Sequence, residues 1–142
     1  MGKSIDRINA YLAYEFLGSG SPTTSGSFYV DLSTAIIAND GSGSVAISGG
    51  EYSTVVLAKT ENNWTEPYEG EVTNAVVISF PSGSIVSSTD WGTIKSIVIS
   101  DSTSGSIPVY FYNLPTEIDA PEGTQIIFGG GTLKFNRTIE GG

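Results

Sequence analysis

Trp91-Gly92-Thr93-Ile94-Lys95-Ser96-Ile97-Val98-Ile99-Ser100 leads into Asp101-Ser102-Thr103-Ser104-Gly105 and, past Ser106, into Ile107-Pro108-Val109-Tyr110-Phe111-Tyr112. Two runs of β-branched and aromatic residues thus flank a polar, glycine-containing loop, which predicts an antiparallel hairpin. The segments around it read the same way. Phe28, Val30 and Leu32 alternate with Tyr29 and Asp31, the period of a half-buried strand. Val45 and Ile47 lie between the turn signals Asp40-Gly41-Ser42-Gly43 and Gly49-Gly50. Tyr52 to Ala58 runs through Val55, Val56 and Leu57, and Val76, Ile78 and Phe80 alternate until Pro81 removes a ladder donor. Residues 59–71, with Asn62, Asn63, Pro67 and Gly70, read as a long loop. Pro121-Glu122-Gly123 is a turn, and Gln125 to Phe128 and Leu133 to Phe135 complete the set. Roughly eight strands with turns at this spacing predict an all-β domain over residues 27–142, a single antiparallel β-sandwich of jelly-roll type. No helical pattern alternates with the strands, so a parallel α/β sheet is not expected.

The N-terminal stretch differs. Ile5, Ile8, Leu12 and Phe16 recur at helical spacing, and Tyr11 widens the stripe. Ser4 can cap such a helix, Asp6 suits the positive end of its dipole, and Gly18 can end it. A short amphipathic helix is therefore expected over residues 4–17. The connector from Gly18 to Gly26 is flexible by composition and completes an arm over residues 1–26. The apolar stripe of Ile5, Ile8, Leu12 and Phe16 can serve as a lid on the β-core or as a contact with a neighbouring subunit.

Composition removes several function classes. The 142 residues carry a net charge of −9 with only 6 Lys and Arg, too few for a phosphate-binding stripe, so neither nucleic acid nor an anionic membrane is expected as a partner. No segment reaches the ~18 apolar residues of a membrane span, and no apolar run follows Met1-Gly2-Lys3, so a signal peptide is not expected. With no histidine and no cysteine, the Ser-His-Asp and Cys-His arrangements, disulfides and nitrogen or sulfur metal sites all fall away. Neither Gly18-Ser19-Gly20 nor Gly41-Ser42-Gly43 is followed by the lysine of a phosphate loop. Glu66, Glu69 and Glu71 cluster in one proline-containing loop rather than facing across a cleft, as a glycosidase pair must. Asp40-Gly41-Ser42 and Asp101-Ser102-Thr103 lack the spacing of a calcium loop and read as turns in which Asp bonds its own backbone. No enzymatic activity, metal or cofactor is expected. Trp64, Tyr68 and Trp91, with the Tyr110/Tyr112 face, are the candidate contacts for a glycan.

Several segments taken in order carry a resemblance. They are Ser27-Phe28-Tyr29-Val30-Asp31-Leu32, Gly49-Gly50-Glu51-Tyr52, Asn74-Ala75-Val76-Val77-Ile78-Ser79-Phe80-Pro81 and Thr89-Asp90-Trp91-Gly92-Thr93-Ile94. Leu114-Pro115-Thr116, Glu122-Gly123-Thr124-Gln125-Ile126 and Gly131-Thr132-Leu133-Lys134-Phe135 follow. Together they resemble a family of small tailed-phage virion proteins, labelled tail fibre proteins, whose related domains serve as head decoration proteins. The sequence departs from that pattern at Asp31, where the family tends to be apolar, and in the acidity of the loop around Glu66, Glu69 and Glu71. The resemblance implies a structural virion protein with no catalytic residues. Its expected partners are the major capsid protein or other virion proteins, and its expected assembly is a homotrimer. The short chain and helical arm favour a capsid decoration, or cement, protein on the head surface. The alternative is a tail fibre or tail-tip component, with or without carbohydrate binding.

Overall fold

The computed structural model describes residues 2, 3, 5, 9, 16–18, 26–66, 71–101 and 108–135. The strands among them are β1 (Gly2–Lys3), β2 (Ser27–Ser33), β3 (Val55–Ala58), β4 (Val72–Thr73), β5 (Ile78–Phe80), β6 (Gly92–Ser100), β7 (Tyr110–Ala120), β8 (Ile126–Phe128) and β9 (Lys134–Phe135). Every ladder is antiparallel. Five strands form one sheet in the order β1-β7-β6-β2-β3, while β4 pairs with β9 and β5 with β8 in two-stranded ribbons.

The predicted hairpin is β6–β7, with Ile97 opposite Tyr112 and Ile99 opposite Tyr110. On its other side β6 pairs with β2, setting Leu32 opposite Ile97 and Val30 opposite Ile99. These four side chains are at most 1% exposed and form the centre of the core. Burying each contributes about 1.5–3 kcal/mol relative to exposure.

Ile94 joins the same core, although strict alternation would put Ile94 and Ile97 on opposite faces. A register shift between Ile94 and Ser96 reverses the phase, leaving residues 114–117 of β7 opposite Lys95 alone. Pro115 sits in this irregular stretch, where no ladder donor is required of it.

The two ribbons cover the inner face of the sheet. Ile78 and Phe80 of β5, Ile126 of β8, Phe135 of β9 and Leu133 just before it enter the same core as β2 and β6. The ribbons are short, and between them the backbone is held by a side chain. Asn74, fully buried, donates through Nδ2 to the carbonyls of Val76 (2.8 Å) and Gly129 (3.0 Å), and its Oδ1 accepts the Leu133 N–H (2.9 Å). Its own carbonyl accepts the Gly131 N–H at 2.7 Å. The glycines here are required by this close approach. A Cβ on Gly130 would stand 3.2 Å from the Ala75 carbonyl oxygen, and Gly131 has φ +82°.

The outer face of the sheet is covered by the connection between β2 and β3. Ile37 packs there on Val98 and Phe111 in a second, smaller core. Asn113 of β7 fixes it by imitating a strand partner: its Oδ1 accepts the Ile37 N–H and its Nδ2 donates to the Ile37 carbonyl, both at 2.9 Å. Nearby the buried Ser33 hydroxyl accepts the N–H groups of Ala35 (3.1 Å) and Val45 (3.0 Å), while Ser96 donates to the Ala35 carbonyl at 2.6 Å.

Several expectations change. The helix expected over residues 4–17 lies largely outside the described residues; the described positions within it, Ile5, Asn9, Phe16 and Leu17, are helical, and no whole helix is described. Ahead of it, Gly2–Lys3 pairs with β7 at the edge of the sheet. The two comparable sheets of a jelly roll are not formed among the described residues, because the covering layer is broken into ribbons by its glycines and by Asn74. Val45 and Ile47 flank only an isolated bridge between Ser33 and Ala46, since the Ser33 hydroxyl and a single backbone bond from Thr34 to the Val45 carbonyl, rather than a ladder, hold that segment. β7 continues past Pro115 to Ala120, and Val72–Thr73 forms a strand just beyond the expected loop.

Asn74→Ala removes three buried hydrogen bonds and strands the Leu133 N–H. It is expected to lower stability by about 2–4 kcal/mol in urea unfolding. A loss below ~1 kcal/mol would mean that the two ribbons hold without this amide.

Candidate interaction surface

Asp31, the position at which the sequence departs from the virion-protein pattern, is absorbed by a local network. Its Oδ1 accepts the hydroxyls of Tyr52 and Thr54, each at 2.7 Å. The Tyr52 hydroxyl also accepts the Leu32 N–H at 2.9 Å, beyond the point where β3 ceases to pair with β2. Burial pushes the Tyr52 phenol well above its ordinary range, and the charge and hydrogen bond of Asp31 add to the rise; the Leu32 N–H opposes it. The Tyr52 ring stacks on Phe80 at 5.7 Å and meets Trp91 edge-on at 5.2 Å.

Trp91 is therefore a core residue, 5% exposed, and offers no open ring face to a sugar. Gly50 makes room for it: φ is +58°, and a Cβ there would lie 2.8 Å from Trp91 Nε1 and collide with the Thr89 hydroxyl. The indole N–H has no partner among the described residues. Trp64 packs edge-on against Phe28 (5.6 Å) and Phe135 (5.4 Å), and its Nε1 donates to the Ala58 carbonyl. Tyr110 also packs on Phe135, at 5.3 Å. Tyr68 lies outside the described residues. The structure thus spends the rings of Trp64, Trp91 and Tyr110 on packing.

The other candidates are scattered as well. Of the arm residues, Ile5 donates its N–H to the Asn39 carbonyl at 3.0 Å, and Phe16 is 79% exposed. Ile8 and Leu12 lie outside the described residues. In the acidic loop Glu66 is exposed, Glu71 is half-buried, and Glu69 lies outside. Asp40 forms the expected turn, accepting the Ser42 N–H (2.9 Å) and hydroxyl (2.6 Å), which holds its carboxyl below the usual value. Among the described residues, no group of three acidic side chains is placed to hold a metal ion.

What the surface does present is apolar. Val77 and Ile127 are exposed beside and on the β5/β8 ribbon, and Ile85 and Val86 are exposed in the adjoining connection. The ribbon's alternation explains this. Ile78 and Phe80 point inward, so Val77 and Ile127 point out, with Ile127 opposite Ser79. Ser87 and Gln125 pin the connection beside β8. The Ser87 hydroxyl accepts the Thr124 N–H (3.0 Å) and donates to the Pro121 carbonyl (3.1 Å). The Gln125 amide donates to the carbonyls of Pro81 (3.0 Å) and Gly83 (2.7 Å). None of these four apolar residues or their pins was singled out from sequence as a contact. The signal was there in Val77 standing out of phase with Val76, Ile78 and Phe80.

Because the folded phenol of Tyr52 titrates above the ordinary tyrosine value of about 10, the unfolded chain releases that proton first as pH rises. The associated stability is whole below pH ~10 and is lost with further rise. Tyr52→Phe is expected to abolish that alkaline component and to cost about 1–2 kcal/mol at neutral pH, read from unfolding curves at several pH values. An unchanged alkaline slope in Tyr52→Phe would show that another group carries it.

A search among curated proteins found no match. A family model described as podophage GP4 fiber I protein gp80 matches residues 8–136, nearly the whole of the sequence and every strand from β2 to β9. The chain belongs to this podophage fibre protein family.

Proposed function

We propose that the protein is a non-catalytic structural component of a podophage tail fibre. The family match over residues 8–136 carries this reading, and it favours the tail-fibre alternative over a capsid decoration protein. The physical character of the chain supports it. The domain is nearly all antiparallel β, its aromatic rings are used to pack its layers, and the absence of histidine and cysteine from the sequence leaves few routes to catalysis. A fibre component must transmit load and resist local opening. Side-chain clamps such as the buried Asn74 and the half-buried Asn113 suit a domain whose strands are too short to hold by ladders alone. Its partners on this reading are other virion proteins, and its place is the tail. Carbohydrate recognition has no specific support from the positions of Trp64 and Trp91, and pure assembly is the preferred role.

Quantitative mass spectrometry of purified virions tests the placement. A copy number far below that of the major capsid protein is expected of a fibre component. A copy number comparable to the capsid protein would return the protein to the head and overturn the proposal.

A further inference from the structure

Ile85 and Val86 are consecutive, lie outside any strand, and are both exposed, at 47% and 52%. The backbone that carries them is fastened on both sides. Before them, the Gln125 amide holds the carbonyls of Pro81 and Gly83. After them, Ser87 donates its N–H to the Thr124 carbonyl (2.9 Å), and its own carbonyl accepts the Gly123 N–H (2.8 Å). Two aliphatic side chains are thus offered to water on a backbone that needs little further ordering to bind. The same bonds decide what lies around them. Ser87 brings Glu122 alongside, and the Ser88 N–H, bonded to the Gly50 carbonyl at 3.2 Å, brings Glu51. Asp90 follows two residues on, its Oδ1 accepting the Gly92 N–H at 2.6 Å. All three acidic residues are exposed. The lysines have places elsewhere: Lys3 stands opposite Tyr110 at the far end of β7, Lys59 lies over the Phe28 ring, Lys95 is 4.0 Å from Glu117, and Lys134 is opposite Thr73.

We infer that the connection bearing Ile85 and Val86, framed by Glu51, Asp90 and Glu122, docks a segment of another protein that carries aliphatic side chains beside lysine or arginine. The argument for this occupant is charge complementarity. A second copy would bring the same carboxylates to the contact, and like charges set against each other at an interface are costly. A purely apolar segment would take water from three carboxylates and give them nothing in return. A basic segment with aliphatic residues meets both demands. Its cations pair with the carboxylates at the rim, which speeds encounter and fixes register, while burial of Ile85 and Val86 supplies the apolar drive. The inference adds to the fibre reading the chemistry of one partner. Its test uses the purified chain, so its outcome and that of the virion copy number are independent.

Titration of the full, isotope-labelled chain with the amidated peptide Lys-Leu-Lys-Lys-Leu-Lys at low salt, followed by amide chemical shifts, tests it. Shifts are expected to move at residues 85–88 and at Glu51 and Glu122, and a peptide with serine in place of leucine is expected to bind about tenfold more weakly. Ile85→Ser is expected to weaken binding of the leucine peptide by a similar factor. Glu51→Gln and Glu122→Gln are each expected to weaken it about threefold. They remove no apolar contact, so they keep the test standing should Ile85→Ser misfold. Glu61→Gln, which removes the same charge from the turn after β3, is expected to bind as the wild type does. Absence of binding, or shifts centred elsewhere, overturns the inference. So does equal binding of the serine peptide, or a loss in Glu61→Gln equal to that in the other two, since either would mark general attraction to an acidic chain. Self-association of the wild type in sedimentation velocity that Ile85→Ser abolishes and the glutamine variants strengthen would place a second copy on this surface and overturn it as well.

Discussion

β6 is buried on both faces, and the rest of the molecule is arranged to keep it so. Ile94, Ile97 and Ile99 point into the larger core, while Val98 points the other way, into the cluster with Ile37 and Phe111. An antiparallel strand more commonly leaves one face to water. Covering both requires a layer on each side, and here neither layer is a full sheet. The inner face is closed by two ribbons, the outer by an irregular connection between β2 and β3. Irregular backbone that close to a core must still have its N–H and C=O groups satisfied. The structure meets that demand with side chains. Asn74 joins the two ribbons, Asn113 and Ser33 hold the β2–β3 connection, Ser87 and Gln125 hold the connection after β5, and the Tyr52 hydroxyl completes β2 beyond the end of β3.

This arrangement links local chemistry to what a fibre component needs. A side-chain amide or hydroxyl that bonds the backbone of a distant segment couples the two, so neither opens without losing a hydrogen bond at least partly shielded from water. Asp31 shows how a carboxylate is accommodated in such a scheme. It stands on β2 where an apolar residue would fit the virion-protein pattern, and it is stabilised by the hydroxyls of Tyr52 and Thr54. The same network holds the Tyr52 ring between Phe80 and Trp91, so one polar contact orients an aromatic cluster in the core.

What could be read from the sequence was local. The β6–β7 hairpin, the alternation of Phe28, Val30 and Leu32, and the end of β5 at Pro81 all follow from period and breaker residues. The second strand of the hairpin was legible only to Tyr112, whereas β7 runs on to Ala120 and passes Pro115 through a register shift that needs no donor there. The clamps escaped notice for a different reason. Asn74 meets Leu133 across 59 positions and Asn113 meets Ile37 across 76, and no pattern within a window encodes such a pairing. Asn113 within an otherwise β-favouring run was the available hint, since asparagine is depleted in strands unless its side chain has work elsewhere. Trp64 and Trp91 were ambiguous in the sequence because such rings are as useful to packing as to sugar stacking, and composition does not separate the two uses.

Native-state hydrogen exchange resolved by residue bears most directly on the idea that side chains, rather than ladders, lock the covering layers. The amides to follow are Leu133, Ile37, Leu32 and Thr124, each bonded to a side-chain oxygen. Protection close to that of the β6–β7 ladder is expected of them, because they would open only with the structure as a whole. Exchange as fast as in exposed turns, with the β6–β7 amides still protected, would show that the covering layers open on their own and that these side chains do not lock them.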